Sequence, residues 1–263
     1  MRDDASAVRV GAAGAFDVAS AMSTLKAHEV RGIHVVDTGA GTLERFVAIA
    51  GQAHRVLVDL DPGGVRVRTA TDDEGVWAQL LARVRHWFDL DTDIARVDGF
   101  LGRDPVFAGD VRERPGVRIT RFHAPFEGAV LTVLGQQVSL AAGRTFAARL
   151  VEAFGVRVDE GSGGQATHLF PTAHRLPGVD VEALRAEVGL TASRAGTVHD
   201  LSVLVDSLGG DDVLPDPQAL RALKGSAPGP RNTWRSGWGP TRMPFPFPTP
   251  CCGGWRRTGG ART

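Results

Sequence analysis

The sequence is poor in cysteine and almost empty of lysine. Its two cysteines, Cys251 and Cys252, are adjacent and supply neither a disulfide framework nor a zinc-ligand set. Lys26 and Lys224 are the only lysines among the 30 basic residues, an arginine bias typical of G+C-rich coding sequence. No apolar run approaches the roughly 18 residues of a membrane span, and the N-terminus, MRDDASAVRV, lacks the apolar stretch of a signal peptide. A cytoplasmic protein with no membrane partner is the expectation. Histidines occur at 28, 34, 54, 86, 123, 168, 174 and 199 without metal-site spacing such as H-E-x-x-H. P-loop, dinucleotide and G-x-S-x-G fingerprints are also missing, so no metal and no cofactor is expected.

What is present suffices for a folded core. The chain has 263 residues, 43% of them hydrophobic, which excludes global disorder and fits two compact domains. Its formal charge is zero, from 30 basic and 30 acidic residues. That balance hides a break near Gly225. Residues 226–263 contain no Asp or Glu, six Arg, seven Gly and seven Pro, together with Trp234, Trp238, Trp255 and both cysteines. Prolines at 240, 244, 246, 248 and 250 exclude a regular helix there. Residues 1–225 accordingly carry −6 and the remainder +6.

The body reads as α+β. Residues 16–28 place Phe16, Ala19, Met22, Leu25 and Ala27 near one helical face. Alternating runs follow at Ile33–Val36, Arg45–Ala50 and Arg55–Leu60, with a fourth at Val65–Arg68; Gly-rich turns between them predict antiparallel hairpins. Thr71-Asp72-Asp73-Glu74 reads as a helix start, followed by Val76, Leu80, Val84 and Trp87 at helical spacing. From about residue 91 the pattern is helical throughout. Pro125 opens one helix, Gly135 interrupts it, and Val138–Phe154 resumes it. Helices at 181–188, 191–208 (with Thr191 as N-cap) and 217–223 complete the series. An N-terminal α+β domain (1–112), a helical domain (113–225) and an irregular tail (226–263) are expected.

The stretch Phe126-Glu127-Gly128-Ala129-Val130-Leu131-Thr132-Val133-Leu134-Gly135-Gln136-Gln137-Val138-Ser139 resembles the bacterial 3-methyladenine DNA glycosylase II family, alkylation-repair members of the helix-hairpin-helix glycosylase superfamily. Further matches keep the family's order: Phe88-Asp89-Leu90, Gly102-Arg103, Pro115-Gly116-Val117-Arg118, Phe170-Pro171-Thr172, Leu190 through Arg194-Ala195, and Leu220 through Leu223-Lys224-Gly225. The resemblance covers residues 8–225. It implies a helix-hairpin-helix glycosylase domain, hydrolysis of the N-glycosidic bond of alkylated purines in base excision repair, double-stranded DNA as partner, and a monomer.

A base inside a duplex is reached only by flipping it out, at a cost of a few kcal/mol that a side chain filling the vacated stack offsets. The resemblance implies that Leu134 is this wedge, with Gly135 and Gln136 beside it in the minor groove. By pattern alone, a leucine before a glycine at a helix end reads as core. Lys224 and Gly225 begin the family's hairpin, whose backbone N–H groups meet a phosphate; a solvated helix-end lysine is the other reading. Glu127 reads as a helix-start contact, and Asp206, Asp211, Asp212 and Asp216 as loop-solvating or capping residues.

At Gly225 the match stops abruptly. The family continues L-x-G-I-G-x-W-T-A, a helix, and the catalytic aspartate. Taking the last base of each codon from Gly225 with the first two of the next, G+C-rich codons permit G-I-G-P-W-T-A and, later, P-D-A-V-L-R-R. We therefore read 226–263 as translated out of frame. The helical domain is then incomplete, and the aspartate codon overlaps those of Pro248 and Thr249. No catalytic residue remains within these 263 residues, because nothing after Gly225 carries a carboxylate side chain. An inactive glycosylase-like protein is expected; a non-catalytic DNA-binding protein and an inert truncated product are the alternatives.

Overall fold

A computed structural model describes residues 6–158 and 166–223. Lys224, Gly225 and the tail with Pro248 and Thr249 lie outside the described residues.

The first part is an antiparallel five-stranded sheet. Its strands are β1 (Ser6–Gly11), β2 (His34–Asp37), β3 (Thr42–Ile49), β4 (Gln52–Asp61) and β5 (Gly64–Thr69), in the order β1-β5-β4-β3-β2. Period-two alternation sends Val10, Val36, Leu43, Val47, Ile49, Val56, Val58, Leu60, Val65 and Val67 to one face, all buried. There they meet α1 (Val18–Ala27) and α2 (Glu74–Trp87). In α1 the buried side chains are Ala21, Met22 and Leu25; Ala19, expected inside, is exposed. In α2 they are Val76, Leu80, Val84 and Trp87, as the spacing predicts, and Asp73 caps the helix by accepting from the N–H groups of Gly75 and Val76. The outer face carries ion pairs across strands, Arg9–Asp61, Arg55–Glu44 and Arg68–Asp59.

Strand β1 was not among the expected strands. It closes the sheet on β5, with Val8 opposite Val67 and Val10 opposite Val65.

Two short helices follow, α3 (Ile94–Leu101) and α4 (Ala108–Glu113). The chain then returns to the first layer. Arg114 pairs with Asp17 and Arg121 with Asp89. Buried Arg118 donates to the carbonyls of Ala13, Ala15, Asp89 and Thr92. Gly116, at φ +84°, passes Ala15 so closely that a Cβ would stand 2.6 Å from its carbonyl carbon.

The second hydrophobic cluster is helical. It gathers α5 (Pro125–Gly135), α6 (Leu140–Phe154), α7 (Val181–Val188), α8 (Ala192–Ser207) and α9 (Pro217–Ala222). Val30 and Ile33, from the approach to β2, join it. The sequence pattern predicts helix throughout this region, but β6 (Val156–Arg157) and β7 (His168–Leu169) form a small hairpin within it. Its strand β7 lies against β3.

Candidate nucleic-acid interface

Helix α5 connects two different environments. Pro125 occupies its first turn, where no helical N–H partner is needed. Its last residue is Gly135. Gln136 then extends the chain at φ −62°, ψ 129°, and Gln137 turns it through the left-handed region at φ +56°. Ser139 restarts the helix by accepting from the Ala142 N–H at 3.2 Å. The close turn depends on a glycine pair: a Cβ on Gly143 would stand 3.3 Å from the Gly135 Cα. A non-glycine residue in the left-handed region costs about 1 kcal/mol or more, so the surroundings must hold Gln137 there. Gln137 is exposed, while Gln136 and Gly135 are half-buried.

Helix α8 reaches this turn. Thr191 caps it, as its sequence predicts, accepting from the Arg194 N–H. The Arg194 guanidinium donates to the Gln136 carbonyl at 2.6 Å and lies over the Phe146 ring at 5.8 Å. A cation beside the carbonyl end of α5 is electrostatically favoured.

The structure moves the wedge assignment off Leu134. Its side chain has no exposed surface and lies in the helical core with Phe126, Val130, Leu150 and Leu201. A side chain packed in the core cannot also fill a gap in a base stack. Gln137 and Ser139 are the exposed residues of the turn, and of the two Gln137 has the positive φ. Its positive φ carries no sequence signal, because only glycine advertises that conformation.

The other end of α5 is sealed against the sheet. Glu127 receives both arms of the Arg45 guanidinium, at 3.2 and 2.8 Å, and both residues are buried. Arg45 also lies 5.5 Å from the centroid of the Trp87 ring, and Trp87 meets His123 edge-on at 5.5 Å. Arg45 is the direct cross-strand partner of buried His34. Burial, followed by the nearby Arg45 charge, pushes the His34 imidazole down to about 3. The same two causes, in the same order, hold His123 well below the ordinary histidine range. His34 Nδ1 and His123 Nε2 have no hydrogen-bond partner among the described residues. Glu127 is thus a contact at the helix start, as its position predicts, and its partner is a side chain of β3.

Beside this junction is a half-open cavity of about 70 Å³, several times the space one water needs. Arg83, His123, Phe170, Thr172 and Asp211 contribute to its wall. The aspartates expected to be structural are so: Asp211 accepts from the Ala173 N–H, Asp212 pairs with Arg83, Asp206 meets His174, and Asp216 caps α9. Burial raises the Asp211 carboxyl above the usual carboxylate range. Among the described residues no group of three or more His, Cys, Asp or Glu could hold a metal ion, and no helix is long and apolar enough to cross a membrane.

A family model described as the AlkA N-terminal domain matches residues 8–123. The matched stretch takes in the sheet layer and amounts to less than half of the chain. The match ends at residue 123, just before α5 begins. Beyond that limit the likeness continues. The chain is 35% identical over 175 residues to DNA-3-methyladenine glycosylase 2 of Escherichia coli, covering 65% of this chain and 58% of the relative. It is 35% identical over 170 residues to a probable bifunctional transcriptional activator/DNA repair enzyme AlkA of Mycobacterium tuberculosis, covering 64% of this chain and 34% of the relative. The chain therefore spans a third to somewhat over half of these relatives. In fold it is similar to a 3-methyladenine DNA-glycosylase from Archaeoglobus fulgidus, with TM-score 0.64 at 21% identity over 74% of this chain and 66% of that one. The family model thus matches the sheet layer, and the likeness in fold extends into the helical region that follows it.

Proposed function

We propose that this chain is a DNA-repair protein of the DNA-3-methyladenine glycosylase kind, with double-stranded DNA bearing alkylated bases as its partner. The observation that carries this reading is the α5–α6 turn. It is an exposed tip, with Gln137 held at positive φ, in a chain 35% identical to the two repair enzymes named above. In this reading the units are the N-terminal α+β domain (1–112) and the helical domain (113–225), and the tip enters the minor groove. Gln137 takes the place first given to Leu134, beside Gly135 and Gln136.

The chemistry expected of the kind is hydrolytic. Alkylation makes the purine a cation and a good leaving group, aromatic walls favour that cation, and a carboxylate stabilises the sugar cation as the base departs. We propose that these 263 residues bind such DNA without releasing the base. Residues 226–263 contain no carboxylate side chain, and each aspartate that could approach from 206–216 already has a structural partner. The out-of-frame reading of 226–263 accounts for that lack. Sequencing the codons around Gly225 tests it, since codons unable to yield the shifted hairpin exclude it.

Incubation with methylated duplex DNA tests the whole. The expected outcome is salt-dependent binding with no release of 3-methyladenine or 7-methylguanine above a no-protein control. Base release refutes the inactive reading, and absence of binding at low salt refutes the DNA reading.

A further inference from the structure

Among the groups that ring the α5–α6 turn, one comes from elsewhere in the chain and does work the turn cannot do for itself. Gln137 sits at positive φ with an exposed side chain, and the peptide preceding it carries the Gln136 carbonyl. The Gln136 N–H makes only a long bond to the Val133 carbonyl, 3.4 Å. Its carbonyl, by contrast, accepts from Arg194 at 2.6 Å, a short charge-assisted contact. Arg194 is in turn fixed at both ends. Its backbone N–H is bound by the Thr191 cap, and its guanidinium is spread over Phe146 of α6. One side chain from α8 therefore ties together the end of α5, the body of α6 and the turn between them.

We propose that Arg194 is a positioning residue: by holding the Gln136 carbonyl, it sets the direction in which Gln137 is presented to the base stack. The inference rests on the DNA reading given above. It differs from a phosphate contact, which would use the guanidinium's charge on DNA. The planar fork suits a role in which one face lies on a ring while an edge N–H meets a carbonyl, and lysine cannot reproduce both contacts.

The test uses the full chain and a duplex carrying 2-aminopurine next to an abasic-site analogue, read by fluorescence at saturating protein. The wild-type chain is expected to raise the fluorescence as the base unstacks. Arg194→Ala, and Arg194→Lys as the variant that keeps charge and fold, are expected to lower that rise several-fold per bound complex. Their salt dependence of binding should match that of the wild type. Amide hydrogen exchange at Gln137 and Val138 in the free protein should quicken about tenfold in both. Three results overturn the proposal. One is an unchanged fluorescence rise in both variants. Another is a salt slope reduced by about one in Arg194→Ala and restored in Arg194→Lys, which marks a phosphate ligand instead. The last is unchanged exchange at the turn. A wild-type chain that binds the duplex without any fluorescence rise overturns the unstacking reading itself, and is told apart because the variants then have nothing to lose.

Discussion

The two ends of helix α5 face opposite demands. At its start, Glu127 is locked to Arg45 out of reach of water, beside two buried imidazoles that cannot accept a proton cheaply. At its finish, Gln137 stands in solvent in a conformation that costs energy. The first end joins the sheet layer to the helical region; the second offers a strained tip outward. A buried pair is expensive to break because the surviving charge is stranded, whereas an exposed tip contributes little to stability and can be altered for function. The same helix thus transmits position from a rigid junction to a presented turn.

The largest effect expected from breaking this contrast lies at the sealed end. Glu127→Ala leaves Arg45 buried without its carboxylate and should cost about 3–5 kcal/mol in urea unfolding. Replacing both partners by apolar residues, Arg45→Met with Glu127→Leu, should recover most of that loss. Leu134→Ala comes next, at about 2–5 kcal/mol for a buried leucine. It should leave the salt dependence of DNA binding as it was, since Leu134 belongs to the core; a loss of DNA affinity without loss of stability would return the wedge to that position.

Acid acts on the same end. His34 is held down to about 3 in the fold, so between its unfolded value near 6.5 and that point the unfolded chain binds more protons. Stability is then full above about pH 6.5 and falls as the pH drops, by about 1.4 kcal/mol per pH unit for His34. His123 adds in the same direction. Denaturation at pH 7 and pH 5 measures it, and the difference should shrink in His34→Gln. The smallest effect lies at the open end. Gln137→Gly relieves the left-handed cost and should stabilise by about 1 kcal/mol or less, while lowering the 2-aminopurine signal.

Much of this was legible beforehand, for physical reasons. Strands β2 to β5 announce themselves by alternation and Gly turns, and α2 by Val76, Leu80, Val84 and Trp87. Strand β1 did not, because six residues with only Val8 and Val10 pointing one way do not outweigh flanking polar residues. The two-residue strands β6 and β7 carry no periodicity at all. Arg45 was visible in principle: it interrupts the inward positions Leu43, Val47 and Ile49 with a charge, and a charge at an inward position asks for a partner. Which partner is a tertiary fact. Leu134 shows the limit of resemblance, since the helical spacing from Phe126 and Val130 already placed it inside. The tip at Gln137 and its tie to Arg194 depend on a dihedral angle and a contact 58 residues apart, neither of which a local pattern encodes.

Arg118 has a consequence for the order in which the chain is made. Its guanidinium donates to the carbonyls of Ala13 and Ala15, more than a hundred residues earlier, and to those of Asp89 and Thr92, which close the exit from α2. While the ribosome is still within the first hundred codons, the sheet can pair its strands, but the turn leading out of β1 lacks its donor. The N-terminal layer finishes only when residue 118 has emerged, when the chain is about to enter α5.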